Sequence, residues 1–365
     1  MARGSFTYNG KRYYVKAKTE RELGAKIAQK RKDLEEGNVV VNGNTKVAVW
    51  ASEWLETYKR PAVSDDWYKQ LERITNNIVV PSLGDSRLVD VKPIHLQRLL
   101  NNYSNHSASY IKKIYNVIND MFKCAKSNKL ILNSPADNLT VPKGASAEER
   151  RSLTDTERFY LLEVAKTHRG GLFVKFMLYC GLRPSEVSAL QWKNIDLEKG
   201  ILNVTSALKK NGKIGEPKSK AGYRKIPVPN ILLDELRQIK GQPFDFVCKQ
   251  QSGKLHTETT IKNMWNNIKR EMDIMAGAKV FRNKIVISTL ADDLYLYNLR
   301  HTYCTDLQSA GVPINVAREL MGHSDISTTA KIYTHHSTDA FNNASVLLNT
   351  FLSQNQKGHA KGHTL

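Results

Sequence analysis

Apolar and polar residues alternate with period two near the start of the chain. Ser5 to Tyr8 and Arg12 to Lys18 read as strands, joined at Asn9-Gly10, a dipeptide that supplies the positive φ of a tight hairpin turn. Thr19-Glu20-Arg21-Glu22 then forms a capping box. It opens a helix through Leu23, Ile27 and Arg31 that ends near Glu36-Gly37. Val39 to Thr45 carries no period and reads as a linker. From Lys46 the pattern turns helical, with Trp50, Trp54 and Tyr58 spaced i, i+4, i+8 up to Arg60. Further helices are predicted at about 64–78, 93–103 and 107–128. In the last of these, Ile111, Ile114, Tyr115, Ile118, Met121 and Phe122 line one side. Val141 to Arg151 is polar and aperiodic, which puts a boundary near 145–150.

A second capping box lies in Leu153-Thr154-Asp155-Thr156-Glu157. Phe173 to Tyr179 reads as a buried helix ended by Gly181, and Pro184 starts the next helix at the position where proline is tolerated. Gly200 to Pro229 reads as strands, with turns at Lys210-Asn211-Gly212 and near 218–222. Helices follow at Ile231 to Lys240 and Thr257 to Met275, with a strand or loop inserted at Phe281 to Ile287. A helix opens at Tyr297, Gly322 permits a tight helix end, and Ser327, Thr328 and Thr329 suit another helix start. A last helix is predicted from Asp339 to Phe351, ahead of a disordered end.

Charge narrows the function. Lys and Arg number 55 against 35 Asp and Glu, a net +20 spread along 365 residues, enough for two or three domains. A long polyanion, nucleic acid first, fits that excess; a merely soluble basic protein is the bland alternative. No apolar run approaches the roughly 18 residues of a membrane span, and the first residues lack the apolar core of a signal peptide. Cys124, Cys180, Cys248 and Cys304 are far apart, which suits reduced thiols in a cytosolic protein rather than zinc ligands or disulfides.

The candidate chemistry gathers late in the chain. Tyr297 and Arg300 lie three apart and so share a helix face. His323 follows the Gly322 turn, and Tyr333 comes ten positions later. A cation, an imidazole and a phenol brought together suggest a phosphate held while a tyrosine attacks it. Arg183, on a turn at a helix start, can aim its guanidinium at a phosphate, although an arginine there is more often structural. No clustered carboxylates of the two-metal kind occur.

The stretch Tyr297 to His336 closely resembles the C-terminal motif of the tyrosine recombinases, the integrases of phages and integrative elements. Their pattern is His-x-x-Arg, then Leu-Gly-His, then a nucleophilic Tyr. Arg300, His323 and Tyr333 fit, while Tyr297 stands where the family has His. A phenol with a pKa of about 10 is a poor base at neutral pH, so Tyr297 is expected to position the phosphate. His301 reads as a core or capping histidine rather than a substitute base. The segment YCGLRPSEVSALQWKNID matches the family's first arginine box, which implies a catalytic Arg183, oriented by Glu186 or with Glu186 bracing the fold. The family's hairpin lysine falls on Lys218, with Lys220 as the rival.

The resemblance implies a multidomain, mainly α fold with small β-sheets: a small ββ(β)α arm-type DNA-binding domain (1–43), a helical SAM-like core-binding domain (46–143), an α+β catalytic domain (150–350) and a tail (351–365). Within the second domain, residues 78–84 and 88–91 look like an interhelical loop. The implied activity is that of a site-specific recombinase joining DNA through a 3′-phosphotyrosyl intermediate, without metal or other cofactor, in integration and excision of a mobile element. Double-stranded DNA would be met by Lys11, Arg12, Lys16 and Lys18 among Tyr8, Tyr13 and Tyr14, and by Lys112 and Lys113. The resemblance also implies a homotetramer on DNA, a DNA-bending or excision factor, and a bacterial cytoplasm with its nucleoid. A type IB topoisomerase or resolvase, or a DNA-binding regulator without catalysis, stays open.

Overall fold

The structure is a computed structural model and describes residues 1–35, 40, 43–146, 151–217, 219–333 and 346. Two compact units divide it, Met1–Glu148 and Glu149–Leu365.

In the first unit, β1 (Ala2–Tyr8) and β2 (Lys11–Ala17) pair antiparallel with Tyr8 opposite Lys11. Asn9 (φ 44) and Gly10 (φ 76) both take the left-handed backbone that the hairpin turn demands. Alternation sends Phe6 and Ala17 inward, where they are buried with Leu23 of α1 (Glu20–Glu35). Among the described residues this part is two strands and a helix, with no third strand. The opposite sheet face pairs Arg3 with Lys16, Ser5 with Tyr14 and Thr7 with Arg12. Arg12, Tyr14 and Lys16 are exposed there.

The further α-helices of this unit are α2 (Val47–Glu53), α3 (Asp65–Ile74), α4 (Val80–Leu83), α5 (Pro93–Asn101) and α6 (Ala108–Ser127). Their core is built from Trp50, Trp54, Leu71, Leu96, Ile114, Ile118 and Phe122. The Trp50 indole is satisfied by donating to the Met121 carbonyl at 3.1 Å. One expectation is corrected here. Residues 78–84 are not a loop: α3 runs through a π-helical turn, Thr75–Val79, directly into α4. Pro81 falls inside this continuous helical run, just after the π turn, and the widened turn before it accommodates the ring. α2 likewise continues as a π-helix, Trp54–Lys59.

The second unit begins with α7 (Asp155–Thr167), α8 (Gly171–Cys180) and α9 (Pro184–Ala189). The capping box at α7 is formed, with Glu157 N–H donating to Thr154 Oγ1 at 3.2 Å and Thr154 N–H to Glu157 Oε2 at 2.9 Å. A three-stranded antiparallel sheet has the order β3 (Ile195–Asp196), β4 (Ile201–Val204), β7 (Arg224–Pro227). Between β4 and β7 a short pair forms from β5 (Ala207–Leu208) and β6 (Ile214–Gly215). Then come α10 (Asn230–Gln238), α11 (Glu258–Met275) and the hairpin of β8 (Lys279–Phe281) and β9 (Lys284–Ile287), where a strand or loop was expected. The chain continues into α12 (Asn298–Ser309), α13 (Ile314–Met321) and α14 (Ile326–Tyr333). Phe173, Phe176, Leu202, Ile226, Leu236, Ile268 and Leu299 form the core that fixes these elements. The helix expected over 339–351 lies outside the described residues apart from Val346, which is helical.

Candidate active site

The site starts at the joint between α8 and α9. Gly181 ends α8 in the left-handed region (φ 60), and the Tyr303 ring occupies the space a side chain would need. Two residues on, Arg183 caps α9, with Pro184 in its first turn. Arg183 N–H donates to Glu186 Oε2 at 2.9 Å, and its Nη1 donates to Oε1 at 2.7 Å. The same carboxylate accepts from Arg224 Nη1 at 3.1 Å and Nη2 at 2.8 Å. Arg224 reaches it because β7 alternates, turning Arg224 and Ile226 inward. Burial alone would raise the Glu186 carboxyl. Hydrogen bonds and charge from Arg224, with the charges of Arg183 and Arg300, outweigh that and hold it down at about 2.

Three guanidiniums meet at the C-terminal end of α13. Arg224 Nε donates to the Leu320 carbonyl at 2.7 Å, Arg300 Nη2 to that of Met321, and Arg183 Nη2 to that of Gly322 at 2.8 Å. The last carbonyls of a helix lack partners within it and carry partial negative charge, so cations are stabilised there. Gly322 makes the arrangement possible. It turns left-handed (φ 63), and an added Cβ would lie 2.9 Å from both the Ala221 carbonyl oxygen and Arg224 Nη1. Arg300 is fully buried, and its Nη1 donates to the Gly181 carbonyl. Its Nε–H has no acceptor among the described residues. Burial, then the charges of Arg183 and Arg224, lower it to about 10 against the opposing pull of Tyr297 and Glu186.

His323 follows this turn. Its Nδ1 lies 2.9 Å from Thr329 Oγ1, and burial followed by the charges of Arg300, Arg183, Arg224 and His301 depresses it to about 4. It is therefore neutral near pH 7. Tyr297 sits at the N-cap of α12 with its ring 6.5 Å from that of His301, and it is in electrostatic range of Arg300. Tyr333 ends α14 and packs against Tyr303, Cys304 and Met321. Its hydroxyl donates to the Val312 carbonyl on the α12–α13 turn at 3.2 Å, and Gln308 Nε2 donates to its main-chain carbonyl at 3.1 Å. Burial, with a smaller contribution from Cys304, pushes the phenol up to about 12.

Of the residues singled out from sequence, Arg183, Arg300 and His323 therefore share one cluster, and Tyr297 borders it. Tyr333 packs on the same helices with its oxygen directed to Val312. Lys218 lies outside the described residues, while Lys220 is exposed in a 3₁₀ turn at Lys220–Gly222. Lys11 lies on β2 with its side chain outside the description, Lys18 is exposed past the strand end, and Lys113 is half-buried. The Lys112 ammonium sits 4.4 Å from the Tyr115 ring centroid. Sequence reasoning met Arg224 only as the last residue of the pattern that placed the hairpin lysine at Lys218, and gave it no role in the cluster; its inward position on β7 is what reveals the buried partner. It also missed Thr329, which reads as an ordinary helix-start residue. No group of three or more metal-ligating side chains occurs among the described residues. A separate cavity of about 550 Å³, bordered by Arg169, Lys249 and His256, shares no residue with the cluster.

The profile of the Phage integrase family matches residues 151–339, and that of the phage integrase N-terminal SAM-like domain matches 47–104. A XerC-like tyrosine recombinase of Caldanaerobacter subterraneus subsp. tengcongensis is 26% identical over 305 residues, covering 78% of this chain and 77% of that protein. The transposase from transposon Tn916 of Enterococcus faecalis is 25% identical over 336 residues, covering 87% and 81%. The solved structure of the Tn1549 transposon integrase in complex with transposon right end DNA has the same fold, with a TM-score of 0.67 at 21% identity over 84% of this chain and 100% of that one. More than half of the chain lies within the family match, and the chain belongs to the Phage integrase family, that of the tyrosine recombinases.

Proposed function

We propose that the cluster at the end of α13 holds the scissile phosphate of a DNA strand while Tyr333 attacks it. The observation that carries this reading is the gathering of Arg183, Arg224 and Arg300 on three successive carbonyls beside a neutral His323. Positive side chains fixed before the reaction stabilise charge that builds on the phosphorus, the largest contribution in such transfers. Arg183 is 31% exposed at its side chain and is the guanidinium with the readiest access to a ligand. Arg224, 1% exposed and paired with Glu186, braces it.

The chain is a site-specific recombinase of a mobile element. In the proposed step the Tyr333 oxygen bonds to phosphorus and the bond to the 5′ oxygen breaks. The phenol loses its proton to a base or to solvent, and Lys218 or Lys220 protonates the leaving oxygen. A 3′-phosphotyrosyl link results. The reverse reaction with a new 5′ hydroxyl rejoins the strand, so neither metal nor ATP is consumed. Tyr333 must first release the Val312 carbonyl. The proposed division of labour gives residues 1–43 to arm-type DNA through Arg12 and Lys16, residues 46–143 to core-site DNA through Lys112 and Lys113, and residues 150–350 to catalysis. Four protomers would assemble on two duplexes.

A second reading, a DNA-binding regulator without catalysis, is favoured by Tyr297 and by the phenol turned to Val312. A nicked suicide duplex carrying the element's end separates the two. A covalent protein–DNA adduct that forms in EDTA without ATP, and is lost in Tyr333→Phe, supports the enzyme. Salt-sensitive binding with no adduct from the unaltered chain overturns it.

A further inference from the structure

We infer that Thr329 is a positioning residue that fixes the tautomer of His323, so that its Nε2–H faces the phosphate. The geometry begins with the 2.9 Å contact between Thr329 Oγ1 and His323 Nδ1. Thr329 is fully buried, on the second turn of α14, whereas the imidazole it touches is only half-buried. A buried hydroxyl has one proton to donate and needs an acceptor for it.

Within a helix, that acceptor is commonly the carbonyl four residues back. Ser188, Thr302 and Thr305 of this chain do this, donating to Pro184, Asn298 and His301 at 2.9, 2.9 and 3.3 Å. Among the described residues Thr329 makes no such bond; its hydroxyl meets Nδ1 of His323. The hydroxyl proton therefore goes to Nδ1, and the ring proton sits on Nε2. The opposite tautomer would leave the Thr329 proton unsatisfied and turn a lone pair toward phosphate oxygens.

The surrounding charges make this choice consequential. Arg300, Arg183, Arg224 and His301 act together with burial to keep the ring unprotonated. A doubly protonated ring would donate from both nitrogens whatever its neighbour. A neutral ring has one N–H, and the hydrogen bond decides where it is.

The inference rests on the catalytic reading above, and two measurements keep them apart. In the ¹⁵N-labelled full chain at pH 7, the His323 ring shifts should report the Nε2–H tautomer. Thr329→Ser should keep it, and Thr329→Val should give a mixture. On the suicide duplex, Thr329→Val should slow adduct formation about ten-fold at unchanged DNA affinity, with Thr329→Ser near the unaltered rate. An Nδ1–H tautomer in the unaltered chain overturns the inference. So do equal rates for the unaltered chain and Thr329→Val, or equal losses in the Val and Ser variants. Absence of adduct from the unaltered chain overturns the catalytic reading instead, and the ring shifts still judge the role of Thr329.

Discussion

Glu186, which the sequence brings forward only as a partner of Arg183, ties two arginines of the site together. It accepts from two arginines, and its removal leaves both without their counter-charge. Glu186→Gln should lower the unfolding free energy by about 3 kcal/mol, the usual cost of breaking a buried pair. It should also slow adduct formation about 100-fold as Arg183 loses its fixed aim; thermal unfolding and single-turnover rates check the two. Acid should act on the same cluster. His323 drops from an ordinary 6.5 to about 4 and Glu186 from 4.5 to about 2, so each binds its proton less readily folded than unfolded. The unfolded chain then takes up more protons as pH falls, and stability declines from about 6.5 downward, with Glu186 adding its share below 4.5. The melting temperature should fall between pH 7 and 5, and His323→Gln should flatten part of that fall; the remainder includes His256, which burial also lowers. Arg183, Arg300 and His323 are legible in sequence because each sits in a short motif beside a helix end. The Arg224–Glu186 pair is not, because its partners are 38 positions apart and meet only when β7 packs beside α9.

Elements were legible where local chemistry decides them. The hairpin turn at Asn9-Gly10, the capping box at Thr154 and the glycine ends of α8 and α13 follow from residues within four positions. The π-helical turns were not, since a wide turn is stabilised by what packs around it and leaves no mark on the apolar period. Pro81 misled for the same reason: a helix breaker in isolation is accommodated here by the widened turn that precedes it. On the proposed reading, the element that matters most for activity is α14. Its C-terminal end is held by Gln308 and by the Tyr333 hydroxyl on Val312. Gln308→Ala should loosen that end and raise the initial rate of adduct formation several-fold, with DNA affinity unchanged. A slower rate would mean that Gln308 supports the reactive position rather than the resting one.

At the scale of the molecule, two units each own a hydrophobic core, and no helix of the described residues is long and apolar enough to cross a membrane. The basic face of the hairpin belongs to the first unit, the cationic cluster to the second. Reversing charge in Arg12→Glu with Lys16→Glu should weaken binding to duplex DNA containing both kinds of site and shallow its salt dependence by about two charges. Cleavage of a short core duplex should be unaffected, and filter binding across a salt series with parallel cleavage assays reads both. One feature reaches across the whole second unit. The start of α9, the strand β7 and the helix α12 are distant in sequence, yet each moors its arginine to the same short stub of backbone at 320–322. Adding one residue within α13 would swing that stub by about 100° and cast off every mooring at once, so this stretch should accept substitutions far more readily than a change of length.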